Sequence, residues 1–88
     1  MEPISKEIFE DLSESLEGAL LFTGYDDCIV GVAGRCGMEE VFVYGYDLLV
    51  AKLMTEGMTD EEAVEWLEYN MAGSWVGEGT PLIMRNGG

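Results

Sequence analysis

The excess of acidic residues is the feature that most constrains how this chain can fold. Its 88 residues include eighteen Asp and Glu, four Lys and Arg and no His, which gives a formal net charge of −14. Self-repulsion of this size destabilises a compact state. A cationic partner, bound cations or a solvent shell would each offset the repulsion, and the positions of the acids along the chain bear on which of these applies.

The length and apolar content predict one domain over residues 1–88. Hydrophobic residues make up 48% of the chain, which is too many for a disordered tail, and a chain this short holds a single modest core. The apolar runs are too short to span a bilayer. The N-terminus lacks the basic and apolar regions of a signal peptide. We therefore expect a cytoplasmic protein without a membrane partner.

The first predicted element is an amphipathic helix over residues 5–20. Ser5 suits an N-cap, and an acid in the first turn is favoured by the helix dipole. Apolar residues recur at helical spacing after Ser5. The opposite face carries the acids Glu7, Glu10, Asp11, Glu14 and Glu17.

The middle of the chain predicts a β-hairpin over residues 28–44, because two β-rich apolar runs flank a glycine-containing connection. A second helix is predicted over residues 48–56, with Asp47 as its cap and Gly57 as its stop.

The third helix is predicted over residues 60–71. Thr59-Asp60-Glu61-Glu62 has the pattern of a capping box, in which Thr59 and Glu62 cap each other's backbone. Ala63, Trp66, Leu67 and Met71 form the predicted buried face. The acids Glu61, Glu65 and Glu68 line another face.

A short strand over residues 81–84 ends the predicted fold. Pro81 is tolerated at the start of a strand, and Trp75 lies in the glycine-rich connection before it. The element order α-β-β-α-α-β predicts an α+β fold, with a three-stranded antiparallel sheet packed against three helices.

The residue types argue against an enzyme, a metal site and a cofactor site. The chain has no histidine base and no nucleotide-binding glycine motif. The spacing of Cys28 and Cys36 fits no zinc pattern; reduced core thiols are the preferred interpretation, and a disulfide across the turn is the alternative. Direct nucleic-acid binding needs a basic footprint, and the basic residues are scattered at Lys6, Arg35, Lys52 and Arg85.

Four segments resemble a group of small uncharacterised phage and prophage proteins: DDCIVGVAGR, VFVYGYDLLVAKLM, MTDEEAVEWLEYN and WVGEGTPLIM. That group has an Ile-Ile-Gly-Val strand, a Met-Thr-x-Glu-Glu-Ala helix, Glu-Tyr-Asn and a Pro-led terminal strand. The resemblance covers residues 26–84 and implies an origin in a mobile element. It implies no activity and no catalytic residue.

Two functional hypotheses follow. In the first, the acids of the first and third helices approach the charge density of a phosphate array. The protein would then be a phage-type inhibitor, anti-CRISPR by analogy, that occupies the cationic nucleic-acid-binding surface of a host protein. In the second, a regulatory or interaction module docks through an apolar patch of Tyr69, Met71 and Trp75, and the charge serves solubility. A homodimer is compatible with the sequence.

Overall fold

A computed structural model describes residues 2–16, 18–22, 24–34, 37, 39–72 and 80–85, with residues 71 and 72 as backbone only. Within these ranges the chain forms three α-helices and three strands, so the predicted α+β class and element order are confirmed. The helices are α1 (Lys6–Ser15), α2 (Tyr46–Thr55) and α3 (Asp60–Leu67), and the strands are β1 (Ile29–Ala33), β2 (Val41–Gly45) and β3 (Leu82–Met84). A 3-10 turn, Asp26–Cys28, precedes β1, and a π-helical turn, Glu68–Ala72, follows α3.

The sheet is mixed, with strand order β1-β2-β3. β1 and β2 form the predicted antiparallel pair, with Val32 opposite Phe42. β3 pairs with β2 in parallel, with Ile83 opposite Tyr44, so the prediction of a fully antiparallel sheet is wrong. The direction of β3 depends on the long connection from β2 through two helices, and three strand residues cannot encode it.

Residues Gly31 and Gly45 lie near an irregularity in the β1–β2 pair. The register shifts between Ile29 and Gly31, which makes Val30 the extra residue of a bulge. A Cβ at Gly45 would lie only 3.0 Å from the Val30 side chain. A glycine therefore lets β2 pass close to the bulge.

The second helix begins directly after β2. Gly45 is its N-cap and Asp47 lies in its first turn, so the predicted start at residue 48 with an Asp47 cap is wrong. The helix ends at Thr55, one residue before the predicted end. Gly57 has a φ of 105°, which confirms the predicted left-handed stop.

The first helix is shorter than predicted and ends at Ser15 instead of residue 20. Leu16 leaves helical geometry, with φ −106° and ψ 63°. Gly18 follows, and a glycine inside a helix costs about 1 kcal/mol relative to alanine. The predicted Ser5 cap is confirmed, because its hydroxyl accepts a hydrogen bond from the Ile8 N–H.

The capping box of α3 is also confirmed. The Glu62 N–H donates to the Thr59 hydroxyl at 3.2 Å, and the Thr59 N–H donates to the Glu62 carboxylate at 3.1 Å. Regular α-helix ends at Leu67, before the predicted residue 71, and the chain continues as the π-helical turn.

One core joins the sheet to the helices. Phe42 and Tyr44, two residues apart on β2, are fully buried together with residues of α2 and α3. Phe9 of α1 packs on Phe42 with ring centroids 5.8 Å apart. The buried cluster consists of Cys28, Ile29, Phe42, Tyr44, Leu49, Leu53, Ala63 and Leu67.

Candidate partner-binding surface

The first acidic surface, here called the α1 stripe, consists of Glu7, Glu10, Asp11 and Glu14. Phe9 and Leu12 pack toward the core. At about 100° per residue the α1 stripe occupies an arc of roughly 100° on the opposite side of the helix. All four acids are exposed. The sequence placed Glu17 with them, and Glu17 lies outside the described residues.

The second acidic surface, the α3 stripe, consists of Glu61, Glu65 and Glu68. Ala63 and Leu67 are buried on the inner side of α3. The α3 stripe lies on the outer side within an arc of roughly 60°, and all three carboxylates are exposed. Within the described ranges, no acid of either stripe forms a salt bridge with Lys or Arg.

One stripe residue lies where a negative charge opposes the helix dipole. Glu14 is in the last turn of α1, which has no basic residue there. Glu68 follows the last regular residue of α3, but the chain continues from it through a further helical turn to Ala72, so Glu68 does not end a helix. A carboxylate at a helix C-terminus costs about 0.3–1 kcal/mol, so helix stability does not explain Glu14.

Two of the three basic side chains in the described ranges, Lys52 and Arg85, make contacts away from the stripes. The Lys52 ammonium lies 2.9 and 3.0 Å from the two Asp27 carboxylate oxygens, and this hydrogen bonding lowers the pKa of Asp27. The Arg85 guanidinium lies 4.2 Å from the centroid of the Tyr46 ring. Lys6 is exposed on α1 itself, one helical turn before Glu10, and forms no salt bridge with that residue.

A groove of about 360 Å³ runs beside the α3 stripe and is here called the α3 groove. Tyr69, on the π-helical turn, is 87% exposed. Trp66 is half-buried, and its ring packs against Tyr25 with centroids 6.1 Å apart. The groove is lined by Met58, Glu62, Glu65, Trp66, Tyr69 and Asn70.

The sequence prediction did not identify the α3 groove. Trp66 was assigned to the buried face and Glu62 to the capping box only. The spacing of Glu62, Glu65, Trp66 and Tyr69, at intervals of three and four residues, is the signal that places these side chains on one side of a helix.

The alternative apolar patch is described only in part. Tyr69 is exposed, as that hypothesis requires, whereas the Met71 side chain and Trp75 lie outside the described residues. On the outward face of the sheet, Leu82 and Met84 are 52% and 45% exposed. Their partners Val43 and Gly45 on β2 are buried.

Cys28 is a free and buried thiol, as the preferred interpretation of a reduced core thiol expects; Cys36, the other half of the alternative disulfide, lies outside the described residues. Burial raises the pKa of Cys28 to about 11, which keeps the thiol protonated and unreactive at neutral pH. No group of three Cys, Asp or Glu side chains in the described ranges is placed to hold a metal ion. None of the helices described is both long and apolar enough to cross a bilayer.

Comparisons with protein families, with curated proteins and with solved structures find no match to this chain. A functional assignment therefore depends on the residues of the chain itself.

Proposed function

We propose that this protein is an acidic inhibitor of phage type, an anti-CRISPR or other anti-defence protein. It acts in the host cytoplasm by occupying the cationic nucleic-acid-binding surface of a host protein. The observation that carries the proposal is that two helices each present an exposed acidic stripe with no salt bridge to Lys or Arg in the described residues. The phage origin depends on the sequence resemblance alone.

The spacing of the carboxylates supports charge mimicry. Glu7 to Glu14 span about 10 Å of helix axis, or one charge per ~3.5 Å along the α1 stripe. A single DNA strand carries one phosphate per ~3.4 Å of axis. The α3 stripe is sparser, at one charge per ~5 Å. A surface that binds a phosphate backbone would therefore meet a comparable line of charge along α1.

The position of Glu14 provides further support. This acid opposes the dipole of the helix that carries it. An ordinary solvated surface gains solubility from a carboxylate at any exposed position. A cost in helix stability is better explained if the charge is needed at that place, as it would be in a binding surface.

The proposal is tested by capture of host proteins from a bacterial lysate at low and at high salt. The test variant carries Glu61→Gln, Glu65→Gln and Glu68→Gln. The matched control carries Glu2→Gln, Glu40→Gln and Glu56→Gln, which removes the same charge from exposed positions outside both stripes. We expect capture by the wild type and the control at low salt only, and none by the test variant.

The second candidate is a regulatory or interaction module that docks through apolar contacts. The exposure of Tyr69, Leu82 and Met84 favours it. Salt separates the two candidates, because screening weakens contacts between charges and has little effect on apolar docking. Capture that persists at high salt and is lost in Tyr69→Ala would support the module and contradict charge mimicry.

A further inference from the structure

We propose that the α3 groove binds a single arginine side chain of the partner protein. The inference rests on the proposed function, since it names the chemical group that the α3 stripe would engage. It also goes beyond charge density, because it assigns a specific contact to Glu65, Trp66 and Tyr69.

The polar groups of the α3 groove are placed to accept hydrogen bonds. Asn70 donates one of its two amide N–H groups to the Trp66 carbonyl at 2.9 Å, and its side-chain oxygen can accept a hydrogen bond. Glu62 uses Oε1 to accept from the Thr59 N–H, and its second oxygen can accept a further donor. The Glu65 carboxylate accepts no hydrogen bond from any described residue. These acceptor oxygens together favour a ligand with several hydrogen-bond donors.

The aromatic rings select a cation among such ligands. The π face of Tyr or Trp attracts a cation, and Tyr69 and Trp66 both line the groove beside the carboxylates. The Tyr25 ring, which packs on Trp66, already has the Lys52 ammonium 5.7 Å from its centroid. Within this chain a cation thus lies beside Tyr25, one ring of the aromatic pair. The α3 groove lies beside Trp66, the other ring.

Arginine fits the groove better than lysine. Its planar guanidinium stacks on aromatic rings and donates to a carboxylate through two parallel N–H groups, whereas the lysine ammonium is a compact and strongly hydrated charge. Within this chain Arg85 already places its guanidinium over an aromatic ring, that of Tyr46. The π-helical turn supplies Tyr69 and Asn70, and such turns occur frequently at functional sites.

The test is a nuclear magnetic resonance titration of the ¹⁵N-labelled full chain with two peptides of equal charge, acetyl-Gly-Arg-Gly-amide and acetyl-Gly-Lys-Gly-amide. We expect saturable shifts of the Trp66 indole N–H and of the Tyr69 and Asn70 amides with the arginine peptide. The lysine peptide should bind more weakly. Tyr69→Ala should weaken arginine binding about 2- to 5-fold, the size of an exposed cation–π contact.

A matched pair of variants distinguishes binding in the α3 groove from general electrostatic attraction to the acidic protein. Glu65→Gln should weaken arginine binding, and Glu40→Gln, which removes the same charge from an exposed position outside both stripes, should leave it unchanged. Tyr69 and Glu65 are exposed, so neither substitution disturbs the core. Equal binding of both peptides, shifts spread over α1, or an unchanged affinity in Tyr69→Ala would each overturn the inference.

Failure of this inference is distinguishable from failure of the proposed function. If Tyr69→Ala has no effect while the α3 stripe variant loses salt-sensitive capture, charge mimicry stands without an arginine subsite. If the arginine peptide binds the groove while capture of host protein does not respond to salt, the subsite stands and charge mimicry fails.

Discussion

The Tyr44 hydroxyl accepts a hydrogen bond from the Phe22 backbone N–H at 2.9 Å, and the two rings pack with centroids 4.9 Å apart. The contact joins the central strand to the segment that follows α1. Burial raises the pKa of Tyr44 to about 12, so the hydroxyl stays neutral across the physiological range. The same strand contacts Phe9 of α1 through Phe42, and together these contacts orient the α1 stripe.

Substitution Tyr44→Phe should lower the free energy of unfolding by about 1–3 kcal/mol, because the Phe22 N–H loses its partner in a largely buried place. Urea unfolding followed by circular dichroism measures the change. Tyr69→Phe is the control, since an exposed hydroxyl should matter by less than about 0.5 kcal/mol. Equal effects of the two substitutions would show that the Tyr44 hydrogen bond is not stabilising.

The Asp27–Lys52 pair predicts a specific pH dependence. The hydrogen bond from Lys52 lowers the pKa of Asp27 in the folded state. The pair therefore stabilises the fold above the unfolded carboxyl pKa of about 3.9, and this stabilisation is lost as the pH falls through the lower folded pKa. Because the Asp27 side chain is 68% exposed, screening limits the contribution to less than about 1 kcal/mol.

The measurement for this pair is acid unfolding of Lys52→Met beside Lys6→Met, which removes the same charge from an exposed site on α1. At neutral pH the Lys52 variant should be the less stable of the two. The difference should shrink at a pH below the folded pKa of Asp27, where the contact of Lys52 with the Tyr25 ring remains. A difference that stays constant down to that pH would exclude the ion pair as its cause.

Two neutralising substitutions on α1 should change stability in opposite directions. Glu7 lies in the first turn and Glu14 in the last turn, so the helix dipole favours the first carboxylate and opposes the second. Glu14→Gln should raise the free energy of unfolding by about 0.3–1 kcal/mol, and Glu7→Gln should lower it or leave it unchanged. Thermal unfolding at low salt measures both.

The two variants carry the same net charge, so general repulsion cannot produce a difference between them. If both substitutions stabilise equally, overall charge decides stability and the positions of the stripe acids cost nothing. The support that Glu14 gives to a binding role would then be lost.

Local signals in the sequence predicted much of this fold. The Ser5 cap, the capping box at Thr59 and Glu62 and the Gly57 stop depend on neighbouring residues only, and all three are confirmed. The parallel direction of β3 and the bulge at Val30 depend on contacts between distant segments. Side-chain periodicity does not contain that information.

The same distinction between local signals and long-range contacts applies to the candidate site. Helical periodicity was enough to place Glu7, Glu10, Asp11 and Glu14 on one exposed side of α1. It was not enough to find the α3 groove, because Trp66 both packs against the core and lines the groove. The type of a residue and its position in the helical repeat do not reveal which part of its side chain is solvent-accessible.

Competition for a single host protein tests the central claim most directly. The host protein captured at low salt would be purified and loaded with a short fluorescent DNA duplex, and this protein would be added while anisotropy is recorded. The account predicts that the wild type displaces the duplex and that displacement weakens steeply with salt. The control variant, substituted at Glu2, Glu40 and Glu56, should also displace the duplex. The test variant, substituted at Glu61, Glu65 and Glu68, should not. A stable ternary complex of host protein, duplex and this protein would contradict it.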